Sequence, residues 1–93
     1  MYGTVARTRV KPENREKFGE IIARHTTTAV PGYVAGYMLF ENDSDTAWLF
    51  AVFQDRESYD RNADDPAQHE RYVAYRALME DDPEWHDGEI RTN

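Results

Sequence analysis

The spacing of apolar and polar positions in the first third of the chain predicts a strand followed by a helix. A strand is expected over residues 2–10, where β-branched and small residues precede Pro12, which has no backbone N–H to donate to a sheet. A helix is expected over residues 13–27, because apolar positions from Phe18 to His25 recur at helical spacing and form one stripe.

The remaining two thirds predict a hairpin, an interrupted helix and a last strand. Strand-like runs at residues 33–41 and 46–55 flank a polar turn. Residues 56–80 have a helical pattern that restarts after Asp65, a residue type that caps helix N-termini. Residues 85–92 complete the series with a short strand.

The predicted order is strand, helix, strand, strand, helix, strand. This is the split β-α-β pattern of the ferredoxin-like fold, an α+β architecture with helices on one face of a four-stranded antiparallel sheet. The sequence has 93 residues and contains neither a linker nor a low-complexity tract, so residues 1–93 are expected to form one domain.

The predicted hairpin is apolar on both faces, which indicates that both faces are covered. If Phe40 pairs with Trp48, the helices cover one face and leave an apolar patch too large for a soluble monomer on the other. The same face of a second copy is the simplest cover, which predicts a homodimer packed sheet to sheet. The residues expected at this dimer interface are Val5, Met38, Phe40, Trp48, Phe50 and Val52.

Charge and composition exclude several classes of function. The chain has 18 acidic and 11 basic residues and a net charge of −7, which argues against nucleic acid or an anionic membrane as partner. The absence of cysteine excludes disulfides, thiolate metal sites and cysteine nucleophiles. No apolar run is long enough for a signal peptide or a membrane span, so a cytoplasmic location is expected.

Four stretches resemble the dimeric α/β-barrel superfamily, and most closely its branch of antibiotic biosynthesis monooxygenase-like (ABM) proteins. They are Val10-Lys11-Pro12-Glu13, Val30-Pro31-Gly32-Tyr33, Phe53-Gln54-Asp55-Arg56-Glu57-Ser58-Tyr59 and Asn62-Ala63-Asp64-Asp65-Pro66. The resemblance extends over nearly all of the chain. It implies a dimeric α/β barrel with a pocket between the helices and the sheet of each subunit.

The resemblance also implies positions at which known chemistries can be tested. The Asn and Trp that heme-degrading members use fall on Ala6 and Asn62, and their His falls on Arg71 or Tyr72. None of the three required side chains is present, which disfavours heme degradation by that set of residues.

A second group within the superfamily forms quinones with molecular oxygen and without metal or flavin. Its strand-three Asn and Trp fall on Leu49 and Phe53, so neither is present. Its helix-two Tyr falls on Tyr59, and its Arg falls between Arg71 and Arg76, so these two side chains can be retained. The match is therefore partial.

The second predicted helix carries candidate catalytic residues. The spacing places three of them on one side of that helix, since Tyr72 and Arg76 follow His69 by three and seven residues. An arginine at a pocket stabilises a phenolate or enolate through charge-assisted hydrogen bonds, and His25 or His69 is a candidate base near pH 7. The competing interpretation is that the histidines and the arginine are solvated or lie at the edge of the core, and that Tyr72 is a core residue.

Residues on the first strand, on the hairpin and at the start of the second helical region predict the walls of this pocket. The candidates are Ala6, Tyr37, Leu49, Phe53 and Tyr59. Small residues leave room for a flat ligand and aromatic residues supply contact area. The competing interpretation is that side chains from the helices fill the same space. The three histidines are widely spaced and match no metal motif, so no metal is expected. The resemblance to cofactor-free monooxygenases implies that no other cofactor is used.

These observations lead to one function and three alternatives. The resemblance implies a cofactor-independent monooxygenase that acts on an aromatic or polyketide-like small molecule. A non-catalytic protein that binds a small apolar ligand, a purely structural dimer, and a cyclase or isomerase that needs only acid–base groups all remain open.

Overall fold

The described residues form four strands and three helices in the predicted order. The structure is a computed structural model that describes residues 1–26 and 30–93, with residues 25 and 26 described by their backbone alone. The elements are β1 Tyr2–Arg9, α1 Arg15–Thr26, β2 Tyr33–Phe40, β3 Thr46–Phe53, α2 Arg56–Ala63, α3 Pro66–Arg76 and β4 Glu84–Glu89.

The predicted interruption in the second helical region is confirmed, and each of its two helices begins at an aspartate. The Asp55 carboxylate accepts a hydrogen bond from the Ser58 backbone N–H at 2.8 Å and caps α2. The Asp65 carboxylate accepts one from the Ala67 backbone N–H at 2.9 Å and caps α3. Such caps satisfy amide groups that have no partner within the helix, so these two residues set where α2 and α3 start.

The sheet is antiparallel throughout and has the strand order β2-β3-β1-β4. This is the predicted ferredoxin-like α+β architecture, with the helices on one face. The core between the layers centres on Phe18 of α1, which is 0% exposed. Its ring meets those of Phe40 and Tyr75 edge-on, at centroid distances of 6.5 and 6.1 Å.

The predicted register of the hairpin is wrong by one residue. Phe40 pairs with Ala47, and Leu39 pairs with Trp48. The turn closes where the Glu41 backbone N–H donates to the Thr46 carbonyl at 3.0 Å. A shift of one residue moves every side chain of a strand to the other face. Because both faces of this hairpin are apolar, the pattern of hydrophobic residues does not distinguish the two registers.

The corrected register reassigns the side chains of β2. Met38 and Phe40, predicted at the dimer interface, instead pack against the core on the face that the helices cover. Tyr37 and Leu39 lie on the opposite face, where they are 64% and 50% exposed.

We call this opposite face of the sheet the open face. Four residues predicted at the dimer interface do lie on it, namely Val5, Trp48, Phe50 and Val52. Phe50 is 39% exposed. Together with Tyr37 and Leu39, they form a continuous apolar surface across β1, β2 and β3.

In the described part of the chain, no helix is both long and apolar enough to cross a membrane.

Candidate functional site

A cavity of about 700 Å³ lies between the three helices and the sheet. Its volume is within the range of about 300–1,000 Å³ that is typical of small-molecule sites. Strand residues line it from one side and residues of α1, α2 and α3 from the other. Helix side chains therefore do not fill the space in which the sequence predicts a pocket.

Two small residues leave room on the strand side of the cavity. Gly36 and Ala51 are register partners on neighbouring strands, and both line the cavity. A Cβ atom at Gly36 would collide with the hydroxyl group of Tyr33, so the absence of a side chain lets the tyrosine lie across the strand.

Four of the five predicted pocket residues line the cavity, namely Leu49, Phe53, Tyr59 and Tyr37. Tyr37 is among the lining residues although it lies on β2, an edge strand, and its pairing with Phe50 places it on the open face. Ala6 is not among the lining residues. It is 0% exposed and lies in the hydrophobic core, not in the cavity wall where the sequence places it.

Two groups of aromatic rings form the apolar walls. In the first, Phe53 contacts Tyr33 and Tyr59 at centroid distances of 5.6 and 5.5 Å. In the second, Tyr72 contacts Tyr75 and Trp85 at 5.5 and 6.2 Å. Such surfaces offer stacking and edge contacts to a flat ligand.

Three of the cavity tyrosines, Tyr33, Tyr59 and Tyr75, remain neutral near pH 7. Burial, with a smaller contribution from the hydrogen bond to Asp87, raises the pKa of Tyr59 to about 12. Burial and the neighbouring Tyr72 raise the pKa of Tyr75 to about 12, and burial also raises the pKa of Tyr33. Their hydroxyl groups therefore act as neutral hydrogen-bonding groups rather than as phenolates.

A polar group of residues lies where β1 and β4 meet α2. The Tyr59 hydroxyl donates a hydrogen bond to Asp87 Oδ1 at 2.9 Å. Thr4 and Asp87 are register partners, and the Thr4 hydroxyl donates to the His86 carbonyl oxygen at 3.2 Å. Thr4, Tyr59 and Asp87 all line the cavity.

The structure places Arg71, and not the predicted Arg76, at the cavity. Arg76 donates to Asp82 Oδ1 at 2.9 Å and to the Met79 carbonyl at 3.3 Å, and it is not a lining residue. Arg71 donates to the neutral Gln68 side chain at 3.4 Å, so that contact leaves the charge of its guanidinium available to a ligand.

The remaining catalytic candidates are placed as follows. Tyr72 and His69 line the cavity, with the His69 side chain exposed. The backbone of His25 lies in α1, and its side chain falls outside the described residues. Within the described residues, no three acidic or histidine side chains are grouped so as to hold a metal ion.

Comparison with known proteins identifies the family. The family model for antibiotic biosynthesis monooxygenase matches residues 1–79. The chain therefore belongs to the antibiotic biosynthesis monooxygenase family. No curated protein matches the chain.

The chain is also similar to solved structures. Two structures of SnoaB, a cofactor-independent oxygenase from Streptomyces nogalater, are 26% and 25% identical, with TM-scores of 0.82 and 0.83. Each comparison covers 99% of this chain and 94% of SnoaB. The monooxygenase from the ActVA-Orf6 gene of Streptomyces coelicolor, in complex with nanaomycin D, is 19% identical with a TM-score of 0.82, over 99% of this chain and 88% of the other. At 19% identity, the similarity to the ActVA-Orf6 monooxygenase shows the fold alone.

The sequence interpretation missed the contribution of β4 to the site. Trp85 and Asp87 line the cavity, and β4 lies beyond the residues that the family model matches. The signal that could have found both residues is the alternation of side chains along a strand, in which residues two positions apart share a face. Trp85 is the register partner of Ala6 and Asp87 that of Thr4, so both lie on the face that the helices cover.

Proposed function

We propose that this protein is a cofactor-independent monooxygenase that acts on an aromatic or polyketide-like small molecule held between the helices and the sheet. Membership of the antibiotic biosynthesis monooxygenase family and the similarity to SnoaB support this activity at the level of the family. The observation that carries the proposal is the 700 Å³ cavity, which combines aromatic walls with the guanidinium of Arg71.

The proposed reaction begins with removal of a proton from a substrate CH₂ group conjugated with a carbonyl group, or from the hydroxyl group of its phenol tautomer. His69 or His25 is the proposed base, since a neutral imidazole accepts a proton near pH 7. Arg71 stabilises the resulting enolate or phenolate oxygen by charge-assisted hydrogen bonds. Tyr72, which contacts both Tyr75 and Trp85, orients the ring of the substrate.

Molecular oxygen then oxidises the deprotonated carbon. A CH₂ group becomes a carbonyl group, one oxygen atom enters the product, and the other leaves as water together with the two hydrogens. Oxygen is the oxidant and the substrate supplies all four electrons, so this overall reaction balances without a metal or flavin.

A binding function without catalysis is the second candidate. The quinone-forming monooxygenases that this chain resembles carry an Asn and a Trp on their third strand. In this chain Leu49 and Phe53 stand at those positions, and both line the cavity. An apolar wall in place of an amide and an indole favours ligand retention over chemistry. A cyclase or isomerase would require the same cavity and the acid–base groups alone.

We further propose that the protein is a homodimer that buries the open face. Tyr37, Leu39 and Phe50 are 64%, 50% and 39% exposed in a single chain and lie next to one another in the sheet. Contiguous apolar surfaces of this kind mark protein interfaces, and two identical faces related by a two-fold axis cover each other.

Oxygen uptake tests the proposed activity. Protein freed of metals is mixed with polycyclic hydroxyaromatic compounds, and oxygen consumption is followed with an electrode. The proposal predicts uptake that is unaffected by a chelator and falls at least tenfold in Arg71→Ala but not in the control Arg76→Ala. Uptake that requires added metal or flavin would overturn it, and tight binding of every compound without uptake would replace it with the binding function.

A further inference from the structure

The polar group formed by Thr4, Tyr59 and Asp87 has no part in the proposed reaction. Asp87 Oδ1 accepts the Tyr59 hydroxyl proton at 2.9 Å and links β4 to α2 beside the cavity. Asp87 lies beyond residues 1–79, the part of the chain that the family model matches. Asp87 is therefore the one member of this group that the family match does not cover.

The two hydroxyl hydrogens of this group determine whether it donates to a ligand or accepts from it. A phenol hydroxyl has one hydrogen, and that of Tyr59 is directed at Asp87. The Thr4 hydroxyl also has one hydrogen, and it donates this hydrogen to the His86 carbonyl oxygen at an oxygen–oxygen distance of 3.2 Å. That hydrogen therefore stays within the protein. An ionised carboxylate has no hydrogen to give, so lone pairs alone face the cavity.

Burial supports the direction of the Tyr59–Asp87 hydrogen bond. It raises the pKa of Tyr59 to about 12, so the phenol keeps its proton near pH 7 and is the donor to Asp87. Because that donor is occupied, the Tyr59 oxygen is left as an acceptor.

We infer that Asp87 is a positioning residue that orients the Tyr59 hydroxyl, so that this end of the cavity accepts a hydrogen bond from a ligand hydroxyl group and donates none. The inference rests on the proposed function, because the ligand occupies the same cavity. Arg71, another lining residue, has the opposite character, since a guanidinium donates and cannot accept. The favoured ligand therefore carries a hydroxyl group for Tyr59 and a carbonyl or anionic oxygen for Arg71.

Paired ligands that differ in one hydrogen-bond donor test this inference. 2-Naphthol and 2-methoxynaphthalene have the same ring system, but only the naphthol donates. Dissociation constants are measured by isothermal titration calorimetry for the full chain and for the variants Tyr59→Phe, Asp87→Ala and Glu89→Gln. Glu89 is the matched control, because it is a carboxylate on the same face of β4, is bonded to Arg91 and does not line the cavity.

The unsubstituted protein and Glu89→Gln are expected to bind the naphthol about tenfold more tightly than the ether, the effect of one hydrogen bond. In Tyr59→Phe the preference falls to about one, because the acceptor is lost. In Asp87→Ala it also falls to about one, because Tyr59 then turns and donates to the ether. A merely structural role of Asp87 would weaken both ligands together and leave their ratio unchanged.

Two results contradict the inference in distinguishable ways. An unchanged preference in either Tyr59→Phe or Asp87→Ala would overturn the role of Asp87 and leave the proposed aromatic site intact. Failure of the unsubstituted protein to bind either naphthalene would overturn the proposed site, and the inference with it.

Discussion

Leu39 lies directly opposite Trp48 on the open face of the sheet, and Tyr37 lies opposite Phe50 on the same face. These two pairs bring four large apolar side chains side by side on a surface that the helices do not cover. Trp48 is fixed there by the hydrogen bond from its indole N–H to Glu41 at 2.8 Å. The proposed dimer depends on this surface.

A charge on the open face is expected to dissociate the dimer. The variant Phe50→Glu places a carboxylate there, and dimerisation would move that charge from water into an apolar interface at a cost of several kcal/mol. Light scattering is expected to give the mass of two 10.9 kDa chains for the unsubstituted protein and of one chain for the variant.

The matched control for this experiment is Val73→Glu. Val73 lies on α3, away from the sheet, and is 53% exposed. This variant is expected to keep the dimeric mass. A monomeric mass for the unsubstituted protein at micromolar concentration would contradict the proposed dimer.

Removal of the central core ring is expected to destabilise the fold strongly. Phe18 is 0% exposed and contacts Phe40 and Tyr75, so Phe18→Ala leaves a cavity beneath α1. The expected loss in free energy of unfolding is about 3–5 kcal/mol, as measured by urea denaturation. The exposed control Val73→Ala is expected to change it by less than about 0.5 kcal/mol, and an equal loss in the two variants would contradict the placement of the core.

The two arginines of α3 are expected to have separate effects. Arg71→Gln removes the charged donor at the cavity and is expected to weaken binding of an anionic hydroxynaphthoquinone by about 1.5–3 kcal/mol. Arg76→Gln breaks the ion pair with Asp82, which contributes about 0–1 kcal/mol to stability, and leaves ligand affinity unchanged. Calorimetric titration measures both affinities, and weaker binding in Arg76→Gln alone would reverse the assignment.

The cap of α2 is expected to make stability depend on acid pH. The Ser58 backbone N–H holds the pKa of Asp55 below its usual value. A lowered pKa in the folded state gives stability that is fully present above the unfolded value of about 3.9 and is lost as the pH falls through the folded value.

The variant Asp55→Asn isolates this titration, because asparagine caps a helix as well as aspartate and does not ionise. Free energies of unfolding are compared between about pH 6 and about pH 3. The advantage of the unsubstituted protein over the variant is expected to shrink as the pH falls. A difference that stays constant over this range would show that Asp55 is not the titrating group.

The order of elements, the helix start at residue 56 and the restart after Asp65 followed from the sequence, because turn and cap chemistry is local. The hairpin register did not, since Met38 and Leu39 are equally apolar and either one can face the core. Only three-dimensional packing, with Phe40 against Phe18, distinguishes the two registers.

The candidate site was predicted in part for a related reason. The aromatic walls at Phe53 and Tyr59 and the helical residue Tyr72 could be found from spacing and resemblance. The choice between Arg71 and Arg76 depends on which arginine is bound by a carboxylate that follows α3. Arg76 donates a hydrogen bond to Asp82, so Arg71 is the one left at the cavity. The contact of Asp87 with Tyr59 joins residues 28 positions apart, which no local pattern reveals.

Isotope labelling is the most direct test of the proposed monooxygenase. Metal-free protein is supplied with ¹⁸O₂ and with a polycyclic hydroxyaromatic compound that it binds, and the product is analysed by mass spectrometry. The proposal predicts one ¹⁸O atom per product molecule, one ¹⁸O atom in water, and loss of the labelled product in Arg71→Ala. A product without ¹⁸O, or labelled product formed equally fast by Arg71→Ala, would contradict it.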